Sequence, residues 1–138
     1  MSKRPSEIAP GTRGPGYPRA PGHRVAFIPR SLRVIIRAGD VPLADTRDVV
    51  VIEESSYPTR YYVPREEVDM TRLERTEKVT FCPFKGLATY YAIRGEDGEI
   101  RHAAWSYEQA YAESELIRDR IAFDTRVVDE TVEEPKAS

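Results

Sequence analysis

Lys78-Val79-Thr80-Phe81-Cys82-Pro83-Phe84-Lys85-Gly86-Leu87 is the stretch on which the reading of the fold turns. Its first five residues have the β-branched and aromatic content of a strand. Pro83 fixes the direction in which the chain leaves that strand, and Gly86 permits a positive φ or a close approach of backbone. A second strand runs from Leu87 to Arg94 and a third from Glu99 to Trp105. Gly95-Glu96-Asp97-Gly98 joins them, a hairpin loop made of turn residues.

Upstream, Leu32 to Ala38 reads as a strand, and Gly39-Asp40 turns it into Val41-Pro42-Leu43-Ala44. Pro42 cannot donate to a ladder, so that second strand is an edge or is short. Asp48 to Glu53 is a strand apolar on both faces, and Arg60 to Val63 follows a Ser-Ser-Tyr-Pro turn. Pro64 suits the first turn of a short helix through Val68. Thr71 with Glu74 three residues on reads as a capping box. A helical segment over Ser114 to Arg120 precedes a last strand, Ile121 to Asp124. No strand–helix–strand unit of ~30 residues occurs, which argues against a parallel sheet. The expectation is a mainly β, antiparallel, folded-over sheet with two or three short helical turns.

The chain has 138 residues, room for one domain. Residues 1–30 hold six of its eleven prolines and four of its eight glycines, with few apolar residues. They read as a disordered arm that cannot bury enough surface to offset its ordering entropy. The organisation expected is an arm over residues 1–30, one domain over 31–126 and an acidic flexible tail over 127–138. The net charge of -2 conceals an asymmetry: the arm carries +5 and the rest of the chain -7. An acidic body is a poor match for nucleic acid, while the basic arm can touch an anionic partner or remain a solvated tail. One cysteine excludes an intrachain disulfide and a zinc ribbon. His23 sits in the arm, which leaves His102 as the body's only histidine, so no Ser-His-Asp set can be assembled. Neither a Gly-rich phosphate loop nor an acidic metal loop is present. No metal and no cofactor are expected. No apolar run approaches the ~20 residues of a membrane span, and no signal-peptide core is visible. The setting expected is the cytoplasm; the oligomeric state stays open.

Several blocks recur in one order. Ala44-Asp45-Thr46 follows the first hairpin. Glu54 precedes Tyr57-Pro58 and Tyr62-Val63-Pro64-Arg65-Glu66-Glu67-Val68. Cys82 to Tyr91, Ala104-Trp105-Ser106-Tyr107 and Ile121-Ala122-Phe123 come next. As a set, over residues 33 to 124, they resemble the bacterial and fungal family called domain of unknown function 427. That family has prolines after the Trp-Ser-Tyr block, where this chain has Glu108-Gln109-Ala110-Tyr111. The resemblance implies a β-tent, two antiparallel sheets meeting at an angle, an architecture shared with methionine sulfoxide reductase B and the drug-binding domain of cereblon. Zinc staples many tents, and packing must replace it here. The family supplies no settled activity, so any function must be argued from a site.

Two nucleophile types share the turn after the first quoted strand. Lys85 is the candidate acid, base or imine former, provided partial burial lowers its pKa. Cys82 is a weaker catalytic candidate, since a cysteine ending a strand is most often simply buried. Glu54 is the counter-charge that the family pattern suggests for Lys85, and a plain ion pair closing the sheet is the simpler reading of the two. Trp105 and Tyr107 share a strand face under period-two alternation. Tyr91 and Thr89 share one face of the neighbouring strand, with Tyr90 on the other. Tyrosines so placed either wall a pocket or make a core with hydroxyls at its edge. Arg60 and Arg65 are each suited to a carboxylate or phosphate, or to surface ion pairing. The expected site is therefore an aromatic groove of Glu54, Tyr62, Lys85, Trp105 and Tyr107, taking an unidentified small molecule. An enzyme using Lys85 in the same groove and a protein-interaction module are the alternatives.

Overall fold

Ten strands appear among residues 4–134, the part of the chain described by the computed structural model. They are β1 (Val25–Arg30), β2 (Arg33–Ala38), β3 (Val41–Thr46), β4 (Val49–Glu54), β5 (Arg60–Tyr62), β6 (Leu73–Cys82), β7 (Gly86–Gly95), β8 (Gly98–Ala110), β9 (Ala122–Phe123) and β10 (Asp129–Glu133). Their pairing is antiparallel throughout, as the short turns dictate. The ladders divide into three sheets, ordered β1-β4-β5, β10-β2-β3 and β6-β7-β8-β9. Single bridges, Val63 to Ile121 and Ala44 to Val68, link them. The mainly β antiparallel fold is as the sequence indicates, and Pro42 does lie on an edge strand. Among the described residues helical structure is limited to a four-residue α1 (Gly16–Arg19) and 3-10 turns at Arg65–Glu67, Met70–Arg72 and Ala112–Ile117. Among the described residues no helix is long and apolar enough to cross a membrane.

β4 explains where the core sits. Val49, Val50, Val51 and Ile52 are all buried, because both faces of this central strand are covered. Val49 and Val51 enter one cluster with Val34, Ile36, Leu43, Tyr91, Ile93 and Phe123. Val50 and Ile52 enter a second with Tyr62, Ala88, Tyr107, Ile117 and Ala122. Each fully buried Val or Ile contributes roughly 1.5–3 kcal/mol, so the continuous apolar run is what ties the sheets together. The second cluster forms the base of the site described below.

Three expectations are corrected. The capping residue at Met70–Arg72 is Asp69, whose carboxylate accepts from Thr71 N at 3.2 Å, while Glu74 lies on β6. The boundary of the arm at residue 30 falls inside the fold, since β1 pairs residue for residue with β4. Residues before β1 also pack: Ile8 is buried beside Leu87 and Tyr111, Gly16 N donates to Pro83 O at 3.0 Å, and Tyr17 meets Phe84 edge-on at 5.0 Å. Composition misled because two of the glycines serve close packing. A Cβ on Gly14 would lie 2.9 Å from Pro83 O, and one on Gly16 2.9 Å from the Phe84 ring. At the other end β10, from the supposed tail, pairs with β2. Residues 1–3 and 135–138 of the arm and tail lie outside the described residues.

Candidate functional site

The turn after β6 positions Lys85. Cys82 Sγ accepts a hydrogen bond from Lys85 N at 3.4 Å. Gly86 then adopts φ +131, and a Cβ there would run into the Gln109 carbonyl oxygen on β8. Only glycine fits, so the turn is pinned and the Lys85 side chain is aimed. Its Nζ meets Glu54 Oε1 at 2.6 Å and lies 5.7 Å from the centre of the Tyr107 ring. Both partners are largely withdrawn from water, with side chains 13% and 8% exposed. Cys82 itself packs against the second core cluster and is absent from the lining of the cavity that Lys85 enters.

That cavity is about 320 Å³ in volume. Glu54, Tyr62, Lys85, Trp105 and Tyr107, the five residues expected to form the groove, all line it. Trp105 Nε1 donates to Tyr62 Oη at 3.0 Å, and the Tyr62 and Tyr107 rings are 6.4 Å apart. Burial pushes the phenols of both tyrosines up, so each remains neutral. Tyr90, the cross-strand neighbour of Trp105, completes the wall at 6.0 Å between ring centres. Its neighbour Tyr91 points the other way. There Arg65 donates to Tyr91 Oη, Ser106 Oγ and Glu108 Oε2, and Tyr91 Oη donates to Glu108. Burial alone would raise the Glu108 carboxyl, but Arg75, Tyr91 and Arg65 together hold it below its ordinary range. Arg65 is thus used within the fold.

Several residues at and beside the cavity escaped the sequence reading. His23 Nε2 meets Glu54 Oε2 at 2.7 Å and stacks on Phe84 at 4.2 Å. The signal was weak but present in the short apolar run Val25-Ala26-Phe27-Ile28; the structure makes it β1 and pairs Val25 with Glu54, and a strand brings the residue two before Val25 back to the same side. Lys78 and His102 arrive through bulges. Between the pairs Arg75–Tyr91 and Val79–Thr89, β6 spends two more residues than β7. Between Tyr91–Ala104 and Ile93–Ile100, β8 does the same. The extra residues re-aim side chains. Lys78 Nζ settles 4.5 Å from the centre of the Tyr90 ring. His102 takes φ 57 and lies with Nδ1 2.9 Å from Thr76 Oγ1. Both line the cavity, as do Arg60 from β5 and the pair Asp124–Arg126 after β9. Chemically the site offers five aromatic side chains, a partly buried Lys–Glu–His chain and further cations at its margin.

A family profile described as Domain of unknown function (DUF427) matches residues 26–134, a span that takes in all of β1 but its first residue and the whole of β10. The chain belongs to this family. A search of curated proteins gave no match.

Proposed function

We propose that this domain binds a small molecule in the aromatic groove around Lys85. The observation that carries the reading is the convergence of Glu54, Tyr62, Lys85, Trp105 and Tyr107, from four separate segments of the chain, on one cavity of about 320 Å³. Concave, aromatic-walled sites with a few fixed polar groups are what small-molecule recognition requires, and this volume is at the low end of the ~300–1,000 Å³ such sites span. The 2.6 Å contact to Glu54 favours binding over imine chemistry. The amine is already engaged as a donor to that carboxylate, and a carbonyl carbon would have to displace the contact to reach it. A cytoplasmic setting belongs to the proposal.

The test is a metabolite screen by thermal shift, with the Trp105 indole N–H followed by NMR. A ligand at ~100 times its dissociation constant adds roughly 2.7 kcal/mol, which is easily seen. Hits should raise the melting temperature and move the Trp105 signal. Hits that leave Trp105 unmoved would place binding elsewhere, and a screen without hits would count against binding altogether.

A further inference from the structure

We infer that the ligand of this groove is a flat organic oxyanion, an aromatic ring bearing a carboxylate or a phosphate, and that Arg60 and Lys78 hold its charged end. The inference rests on the small-molecule reading above and adds the class of ligand.

The cavity wall carries four cationic side chains, Arg60, Lys78, Lys85 and Arg126, and two carboxylates, Glu54 and Asp124. The carboxylates are already engaged. Glu54 holds Lys85 at 2.6 Å, and Asp124 Oδ2 holds Arg126 at 2.8 Å. That leaves Arg60 and Lys78. Among the described residues neither side chain forms an ion pair or a hydrogen bond. Their contacts are with rings, Arg60 at 5.2 Å from the centre of Trp105 and Lys78 at 4.5 Å from that of Tyr90. Asp124 and Glu130 feel Arg60 only at longer range.

A cation resting on a ring is held in place while its N–H donors stay available. Trp105 and Tyr90 are cross-strand partners, so the two cations are presented from adjacent positions on one wall. The local excess of positive charge contrasts with a chain whose net charge is -2. A cationic recess in an otherwise acidic molecule attracts small anions. The guanidinium of Arg60 suits the two coplanar oxygens of a carboxylate or phosphate, and the Lys78 ammonium supplies a point charge beside it. The ring surface left open to an organic body is that of the half-buried Trp105 and Tyr90 and of the exposed Tyr57 at the rim, which a flat ring can lie against and a free ion cannot use.

Phenyl phosphate, benzoate, inorganic phosphate, benzyl alcohol and benzylamine are titrated into the full-length protein, with the Trp105 indole N–H and the Arg60 Nε–H as NMR reporters. Phenyl phosphate or benzoate should move both signals, and which binds tighter identifies the anion. Arg60→Gln and Lys78→Gln should each weaken binding about tenfold or more, the scale of one charge-assisted hydrogen bond. Lys78 is exposed and Arg60 half-exposed, so both variants should keep the parent melting temperature. If benzyl alcohol or benzylamine binds as tightly as the anions, the oxyanion class is overturned while small-molecule binding stands. If inorganic phosphate binds as tightly as phenyl phosphate, the ring requirement is overturned. Unchanged affinity in both Gln variants removes Arg60 and Lys78 from the site. If no probe and no screened compound moves Trp105, the underlying binding reading falls as well.

Discussion

Lys85 and Glu54 form the pair on which the interior of the site depends. Burying two charges costs desolvation that their attraction only repays while both are present. Glu54→Gln leaves the Lys85 ammonium with a neutral partner, and should destabilise the protein by roughly 1–3 kcal/mol. Lys85→Met leaves Glu54 with His23 alone, which softens the loss. The double variant should recover part of the sum, and urea unfolding of the four proteins reads the coupling. Strict additivity would show that the pair is hydrated and of no structural consequence. Trp105 poses a different question. A fully buried tryptophan cut to alanine would cost ~3–5 kcal/mol, but Trp105 is half-exposed against the cavity. The loss should fall below that range, arising largely from Tyr62, whose buried hydroxyl gives up its donor. Trp105→Phe, which keeps a ring but not the N–H, should therefore lose most of what Trp105→Ala loses; a much smaller loss would trace the effect to packing instead of the hydrogen bond.

At the scale of elements, bulges mark the limit of what the sequence discloses. Alternation along β8 correctly places Trp105 and Tyr107 together, and alternation along β7 separates Tyr90 from Tyr91. Glycine chemistry at the Lys85 turn was equally legible, since Gly86 shows both the positive φ and the close approach. The two-residue excesses in β6 and β8 were not legible. Period-two counting assumes a regular ladder, and nothing about Thr76-Glu77-Lys78 or Arg101-His102-Ala103 announces that the ladder is broken there. Lys78 and His102 were missed for that reason. His23 was missed for another: composition assigned it to an arm, whereas it lies two residues before a strand. The bulge at His102 carries a measurable cost, because φ 57 is unfavourable for an ordinary side chain. His102→Val should lose roughly 1–2 kcal/mol, since a β-branched residue tolerates that region worst. His102→Asn should lose much less, because asparagine visits positive φ readily. Equal losses in thermal or urea melts would trace the cost to the Thr76 contact instead of the backbone.

For the whole molecule, the segment before β1 and the segment after β9 are the parts that composition set aside, and both are joined to the fold. Deleting residues 1–22 should lower the melting temperature, because Ile8 leaves its place beside Leu87 and Tyr111 and the Gly16–Pro83 bond is lost. Ile8→Ala should reproduce much of the effect, at roughly 2 kcal/mol or more; an unchanged melting temperature in both would mean that the segment adds nothing to stability. At the opposite end β10 brings Glu130 beside Ile36 of β2, where burial pushes its carboxyl from the ordinary value near 4.5 up to about 7, against a smaller opposing pull from Arg60. The folded state therefore holds this proton more tightly than the unfolded chain does. Glu130's contribution is fully present below about pH 4.5 and is lost as the pH rises towards 7. Other carboxylates act in the opposite sense: Glu108 and Asp124, held low by their arginines, stabilise the fold above their unfolded values and lose that stabilisation in acid. A stability profile of the parent alone mixes the two. The difference between the parent and Glu130→Gln isolates one of them, since the amide cannot ionise. The two proteins should differ little at pH 4.5, and the variant should become progressively the more stable up to about pH 7, with a constant gap beyond. Urea midpoints at a series of pH values measure that gap directly. A gap that does not change with pH would show that Glu130 titrates alike in both states, and that β10 leaves it in water.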